Sequence, residues 1–209
     1  MNTNINKKDI LKKLKVALNN YETFLKNKDF IIIYKDNSNN FIFKRMIFLK
    51  KNFFHLTGLK SHLKAEVFYN HLKNGTLGLA DFNLKSDGTT RLKLDVLESF
   101  HFLLSSECEI GEYDSNNYKN IRLMSHTVLG KKITCLGFIR SNTCYYPNTL
   151  LKENLKQITI STNKVITILK KSLENKDYSI NFLNKNYTQV DLEIILNSSE
   201  SKITIEKVD

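Results

Sequence analysis

The sequence predicts an α+β fold: an N-terminal helix and a β-hairpin, two further helices, then a four-stranded antiparallel sheet and a C-terminal hairpin. Three observations predict it. Apolar residues recur at helical intervals in the first third, the later part is a series of β-rich runs separated by short turns, and no repeat, low-complexity linker or proline-rich joint divides the chain. With 209 residues, 41% of them hydrophobic, and a single proline, the chain is expected to fill one core as one domain over 1–209.

The first helix is predicted over residues 9 to 26, where Ile10, Leu14, Leu18, Tyr21 and Leu25 fall on one face. Phe30 to Tyr34 and Phe41 to Phe48 follow as two β-rich runs, and the intervening Asp36, Asn37, Ser38, Asn39 and Asn40 make the connection a hairpin. After a junction at Phe53 to Leu59, Ser61 can cap a second helix that runs to about Asn74 and stops at Gly75, a position where glycine accepts left-handed backbone. Its buried face is expected to hold Leu63, Val67, Phe68 or Tyr69, and Leu72. Asp87 and Gly88 form a turn, after which Leu94, Leu97, His101 and Leu104 predict a third helix from Thr90 to Ser105. Strands are then predicted at Ile121 to Leu129, Ile133 to Arg140, Tyr145 to Leu151 and Val165 to Leu173. The alternation of Val190, Leu192, Ile194 and Leu196, followed by Ile203 and Ile205, predicts the closing hairpin.

Charge narrows the partners. Lys and Arg number 32 against 21 Asp and Glu, a net charge of +11 that attracts polyanions, nucleic acid above all. The competing explanation is compositional, since most of the cations are lysines in a chain rich in Asn and Ile. Cys108, Cys135 and Cys144 lack CxxC spacing and a set of histidines for zinc, so a reducing cytoplasm is expected. Lys7, Lys8, Asp9, Lys12, Lys13 and Lys15 interrupt any leader-like apolar core, and no later run has membrane-spanning length.

The placement of acids says more than their number. No carboxylate occurs between Asp36 and Glu66, where Lys44, Arg45, Lys51, His55, Lys60 and His62 accumulate. None occurs between Asp114 and Glu153, where Arg122, His126, Lys131, Lys132 and Arg140 lie with Tyr118, Tyr145 and Tyr146. Folded together, these stretches would make a phosphate-binding groove with tyrosines to stack on bases, and Arg91 and Lys93 near the start of the third helix could add to it. The plainer explanation is that strands are poor in acids anyway. Cleavage of RNA without metal needs a base for the 2′-hydroxyl, an acid for the leaving oxygen and cations around the phosphorus; His, Tyr, Lys and Arg can fill those places. A magnesium nuclease needs clustered carboxylates, which neither stretch supplies. His55, set between Phe53-Phe54 and Gly58, is the histidine best placed for proton exchange, although a packing role would suit it equally. Arg140 ends a strand just before a turn, where a guanidinium can clamp phosphate. Tyr145 and Tyr146 must face opposite sides of their strand.

The stretch Asn52-Phe53-Phe54-His55-Leu56-Thr57-Gly58-Leu59, followed by Ala65-Glu66-Val67-Phe68-Tyr69 and Asn74-Gly75-Thr76-Leu77, resembles phage-associated nuclease-like domains of the barnase, EndoU, colicin and RelE superfamily, in particular its fourth phage-associated subgroup. Asp87-Gly88-Thr89-Thr90-Arg91-Leu92-Lys93-Leu94, Leu136-Gly137-Phe138-Ile139 and Tyr145-Tyr146-Pro147-Asn148-Thr149-Leu150-Leu151-Lys152 are similar to the same family. The resemblance spans about 8–182 and leaves the hairpin of 183–209 as a decoration. It implies helices followed by the four-stranded antiparallel sheet of these ribonucleases, and a metal-independent endoribonuclease of mobile-element or toxin systems. Catalytic positions carried over are His55 with Thr57 and, further along, Arg140, Tyr145 and Tyr146; Lys44, Arg45, Lys51, Lys60, Arg91, Lys93, Arg122, His126, Lys131 and Lys132 are expected to bind nucleic acid. RNA is the expected partner, with no cofactor, metal or membrane; an inhibitor protein and a monomeric or homodimeric state stay open. Two alternatives stay open as well: a catalytically inactive module binding nucleic acid or protein, and an ADP-ribosyltransferase-like enzyme suggested by His55-Leu56-Thr57-Gly58.

Overall fold

The computed structural model describes residues 6–116, 125–198 and 203–205. Asn6 caps α1 (Lys7–Phe24) by accepting the Lys8 N–H, and the helix buries Ile10, Leu14, Ala17, Leu18 and Tyr21. β1 (Lys28–Lys35) and β2 (Phe41–Phe48) pair in antiparallel register, and Asp36 closes their turn by accepting the N–H groups of Ser38 and Asn40. Four short elements come next: α2 (Asn52–Thr57), β3 (Lys60–Ser61), α3 (Ala65–Lys73) and β4 (Phe82–Asn83), with β3 and β4 forming a two-stranded sheet. α4 (Thr89–Val96) and a 3₁₀ turn (Phe100–Leu104) lead into β5 (Glu109–Glu112), β6 (Thr127–Gly130), β7 (Cys135–Ser141) and β8 (Cys144–Leu151). The described chain then gives α5 (Leu155–Ile158), β9 (Asn163–Ser172), β10 (Ser179–Leu183) and α6 (Gln189–Asn197).

The strands do not make the expected four-stranded antiparallel sheet. They close into a mixed barrel of seven, ordered β1-β2-β8-β7-β6-β5-β9 and returning to β1, with β10 paired to β9 beside the ring. Two joints cause the closure. β2 meets β8 in parallel through Met46 and Tyr145, and β1 pairs with β9 from Lys28↔Ser172 to Tyr34↔Val165. The N-terminal hairpin is thus part of the ring. Its β1 stretch Phe30-Ile31-Ile32-Ile33-Tyr34 is buried throughout, the mark of a strand covered on both faces. Phe30 and Ile32 join Met46, Phe48, Leu136 and Phe138 in the main core, which α1, α2 and α3 complete with Tyr21, Phe53, Phe68 and Tyr69. Ile31 and Ile33 face outward under Leu192, Ile195 and Leu196 of α6.

Other expectations are corrected too. The closing hairpin is replaced by α6, because Thr188 and Asp191 form a reciprocal capping box and Leu192, Ile195 and Leu196 bury a helical stripe. Ile205 makes an isolated bridge to Tyr178 and packs against the α6 side of the barrel. Ser61 lies in β3, so α3 starts four residues later, and its Val67 is exposed. The third helix is two pieces, α4 and the 3₁₀ turn, and β5 and β10 were not anticipated. Of the strand expected at Ile121 to Leu129, residues 121–124 lie outside the described residues.

Candidate active site

One cluster is built where α2 and α4 meet β8. Asn52 opens α2 by accepting the Leu49 N–H, and its Nδ2 reaches the Pro147 carbonyl at 3.3 Å, which ties the helix to β8. α2 ends on Gly58 with φ 68°. Thr57, fully buried, donates its hydroxyl to the Phe54 carbonyl and accepts the Leu59 N–H, so this oxygen closes the helix. Thr90 Oγ1 in turn donates to the Gly58 carbonyl at 2.7 Å. Lys93 lays its stem over that glycine; a Cβ at position 58 would lie 2.6 Å from Lys93 Cδ. Its ammonium reaches Thr149 Oγ1 on β8 at 2.8 Å.

Electrostatics separate the two titratable groups here. Burial lowers the Lys93 pKa to about 8, Lys85 adds to the effect and Asp87 opposes it. His55 is solvent-accessible on α2, yet shielding by its neighbours, then the Lys93 and Lys51 ammoniums, lowers its pKa below the ordinary histidine value. At neutral pH the imidazole is therefore neutral and the amine largely charged.

Thr149 links this cluster to the mouth of the barrel. A Cβ on Gly137 would sit 2.5 Å from Ser125 Oγ and 2.7 Å from Thr149 Cγ2, so the two hydroxyl side chains crowd over the same bare position of β7. Ser125 Oγ is buried without a hydrogen-bond partner among the described residues. Beside it His126 Nδ1 accepts the Arg140 N–H at 3.0 Å, which puts the proton of the neutral ring on Nε2. Ser125, His126, Thr127, Arg140, Tyr145 and Glu112 line a cavity of about 490 Å³. Lys44 stands behind this lining: buried, it donates to Thr127 Oγ1 at 2.6 Å, lies 4.0 Å from Glu112 Oε1 and stands 5.0 Å over the Tyr145 ring. The nearby Tyr34 hydroxyl is pushed up to about 12, by burial first and then by Glu112, Tyr145 and Asp36.

The structure thus gathers Arg140, Tyr145, His126 and Lys44 at the mouth, with Lys93 and His55 on the neighbouring junction. Lys51 begins α2, Lys60 lies exposed on β3, and Arg91 is half-exposed on α4. Tyr146 pairs across from Ile139 and, by alternation, faces away from Tyr145. Arg45 lies on the outer face of β2, where it grips the fully buried Asp29 through Nε and Nη2 at 2.9 and 2.7 Å, while Tyr178 donates to the same carboxylate. Lys131 and Lys132 border a separate cavity of about 720 Å³ by the β6–β7 turn, at the other end of β6 from His126. Arg122 is outside the described residues. Sequence reasoning missed Ser125, Thr149 and Glu112. Thr149 shares a face with Ser125 only because β8 carries an extra residue between Pro147↔Phe138 and Thr149↔Gly137, and no composition signal marks that bulge.

Among the described residues no three or more His, Cys, Asp or Glu side chains gather as a metal site, and no helix is long and apolar enough to cross a membrane. Comparison with curated proteins and with solved structures gives no match. A family model does match, over residues 13–187, and most of the site just described lies within that span. The chain belongs to the phage-Barnase-EndoU-ColicinE5/D-RelE like nuclease4 family.

Proposed function

We propose that the protein is an endoribonuclease that works without a metal, using the junction of α2, α4 and β8 as its reacting centre. The observation that carries this reading is the Lys93 ammonium, held on Thr149 beside a histidine kept neutral. Neutral His55 can take the proton of a ribose 2′-hydroxyl, whose oxygen then attacks the adjacent phosphorus. Lys93, mostly protonated, neutralises the phosphorane and supplies the proton to the departing 5′-oxygen. Lys51 and Lys60 add positive charge on this side. Arg140, with Tyr145 and the Nε2–H of His126 at the mouth, can hold the next phosphate and base of the strand. These are cations and hydroxyls where a metal nuclease would need carboxylates, which favours the metal-free route.

Three oligonucleotides of one sequence test it: RNA, DNA, and RNA with single 2′-deoxy substitutions, all in EDTA. Only the RNA is expected to be cut, and only where the 2′-hydroxyl is retained, with His55→Ala and Lys93→Met each lowering the rate by about 10²–10⁴-fold. Cleavage of the deoxy substrates, or loss of all activity in EDTA, would remove the reading. Salt-sensitive binding without any product would replace it with a non-catalytic binding module.

A further inference from the structure

A second place in the molecule shows an unfilled recognition chemistry, away from the junction and the mouth. His101, on the 3₁₀ turn, is buried to 6% exposure; its Nδ1 has no hydrogen-bond partner within 3.5 Å among the described residues, and the Glu98 backbone acts on the ring. The ring is held between two phenylalanines: Phe24 stacks on it at 4.9 Å and 3°, and Phe102 leans on it at 4.2 Å and 36°. Both phenylalanines stay open to solvent, at 46% and 59%. Two exposed Phe side chains flanking a buried imidazole form an aromatic edge that none of the described residues covers.

Beside this edge lies a cavity of about 170 Å³. Leu25, Phe30 and Leu104 give it an apolar floor, while Ser105, Asn181 and Lys170 bring polar groups to it. A dry apolar cavity of roughly 150 Å³ accepts one six-membered ring, so a monocycle fits and a fused bicycle exceeds the space. Lys170 is half-buried, pairs across β1 from Phe30, and feels the Lys28 ammonium at the start of the same strand. A half-buried ammonium that lines a cavity is stabilised by an anion.

We propose that this cavity is a pyrimidine nucleotide subsite: the base enters between the Phe102 edge and the Phe30 floor, Ser105 and the Asn181 side chain, whose Nδ2 also holds the Leu104 carbonyl, meet its hydrogen-bonding edge, and Lys170 takes the phosphate. The choice of a nucleotide over other flat anions rests on the nucleic-acid reading above. The cavity shares no lining residue with the His55–Lys93 junction, so it acts in grip and sequence preference.

The test measures binding alone, using the His55→Ala chain in EDTA and fluorescence anisotropy with labelled oligo-U, oligo-C and oligo-A of equal length, plus competition by uridine 5′-monophosphate. Oligo-U or oligo-C is expected to bind at least several-fold more tightly than oligo-A. Phe102→Ala, at a position exposed enough to leave folding intact, is expected to weaken the pyrimidine oligomer by about five- to a hundredfold, the range of one base–aromatic stack, with oligo-A unchanged. Lys170→Met is expected to weaken pyrimidine binding and its salt dependence together. Competition by the free mononucleotide would identify it as a ligand in its own right; competition by the oligomer alone would assign the site to a base within a strand. Equal affinity for all three oligomers, or a Phe102→Ala protein that keeps its pyrimidine preference, overturns the proposal. Because no cleavage is read, a failure here is separate from a failure of the nuclease reading, and an inert wild type with pyrimidine-selective binding would sink only the latter.

Discussion

An ammonium with a pKa of about 8 next to an imidazole below its ordinary value gives the junction two titrations with opposite demands. In the proposed reaction His55 serves as base only when unprotonated, so kcat/KM is expected to fall as pH drops through its lowered value. The acid works only when protonated, so the rate is expected to fall again as pH rises through about 8. Lys93→Arg removes the alkaline limb, because a guanidinium does not deprotonate in this range. A pH–rate profile on a short RNA checks both limbs, and an alkaline limb that persists in the arginine variant would take Lys93 out of the proton transfers. The acid-free stretches made His55 and Arg140 legible as candidates, since a local lack of carboxylates is a sequence property. Thr57, carried over with His55 by resemblance, uses its hydroxyl in closing α2. Arg45 looked like a phosphate ligand, but the strand register pairs it with Ile31 and sets Asp29 on the diagonal, within reach of the guanidinium.

Helices and hairpins with one strong period were readable: α1 buries the stripe that its spacing defines, and the Asn-rich connection does turn β1 into β2. Weak periods were not. The residues from Val190 to Leu196 satisfy both a two-residue and a helical repeat, and the cap at Thr188 decides between them. Elements are also held by side chains that pattern reading does not see. Glu22 on α1 accepts Tyr69 and Lys73 from α3 at 2.8 and 2.7 Å, besides Lys26 on its own side. Burial alone would raise its pKa, but these donors outweigh it and hold the carboxyl at about 2. Folded below its unfolded value, the group contributes stability above about pH 4.5 that is lost as pH falls toward about 2. Glu22→Gln is expected to lower stability by on the order of 2 kcal/mol at pH 7 and to flatten the acid limb of urea midpoints between these pH values. An unchanged limb would show that the clamp does not couple α1 to α3.

The ring itself was the least legible feature, because closure depends on pairing between residues about a hundred or more positions apart, and alternation within a strand says nothing about its neighbours. A clue was present in the unbroken apolar run of β1, which suits a central strand better than an isolated hairpin. At this seam the buried Asp29 on β1 binds Arg45 of β2 and Tyr178 just before β10. Removing the carboxylate leaves the buried Tyr178 hydroxyl without its acceptor, while the exposed Arg45 guanidinium can turn to water, so Asp29→Ala is expected to cost about 1–3 kcal/mol, read by chemical denaturation. A loss under 1 kcal/mol would mean that the seam is held by its backbone ladder alone.

That seam also orders events as the polypeptide emerges from the ribosome. β2 can fold back on β1 at once, but the opposite edge of β1 waits for Ser172, the partner of Lys28. Throughout that interval Phe30 to Tyr34 offers unpaired N–H and C=O groups on a sticky strand, the condition under which nascent chains pair with the wrong neighbour. Chaperone dependence, and aggregation of fragments that stop short of β9, follow directly from a ring fastened by its first and ninth strands.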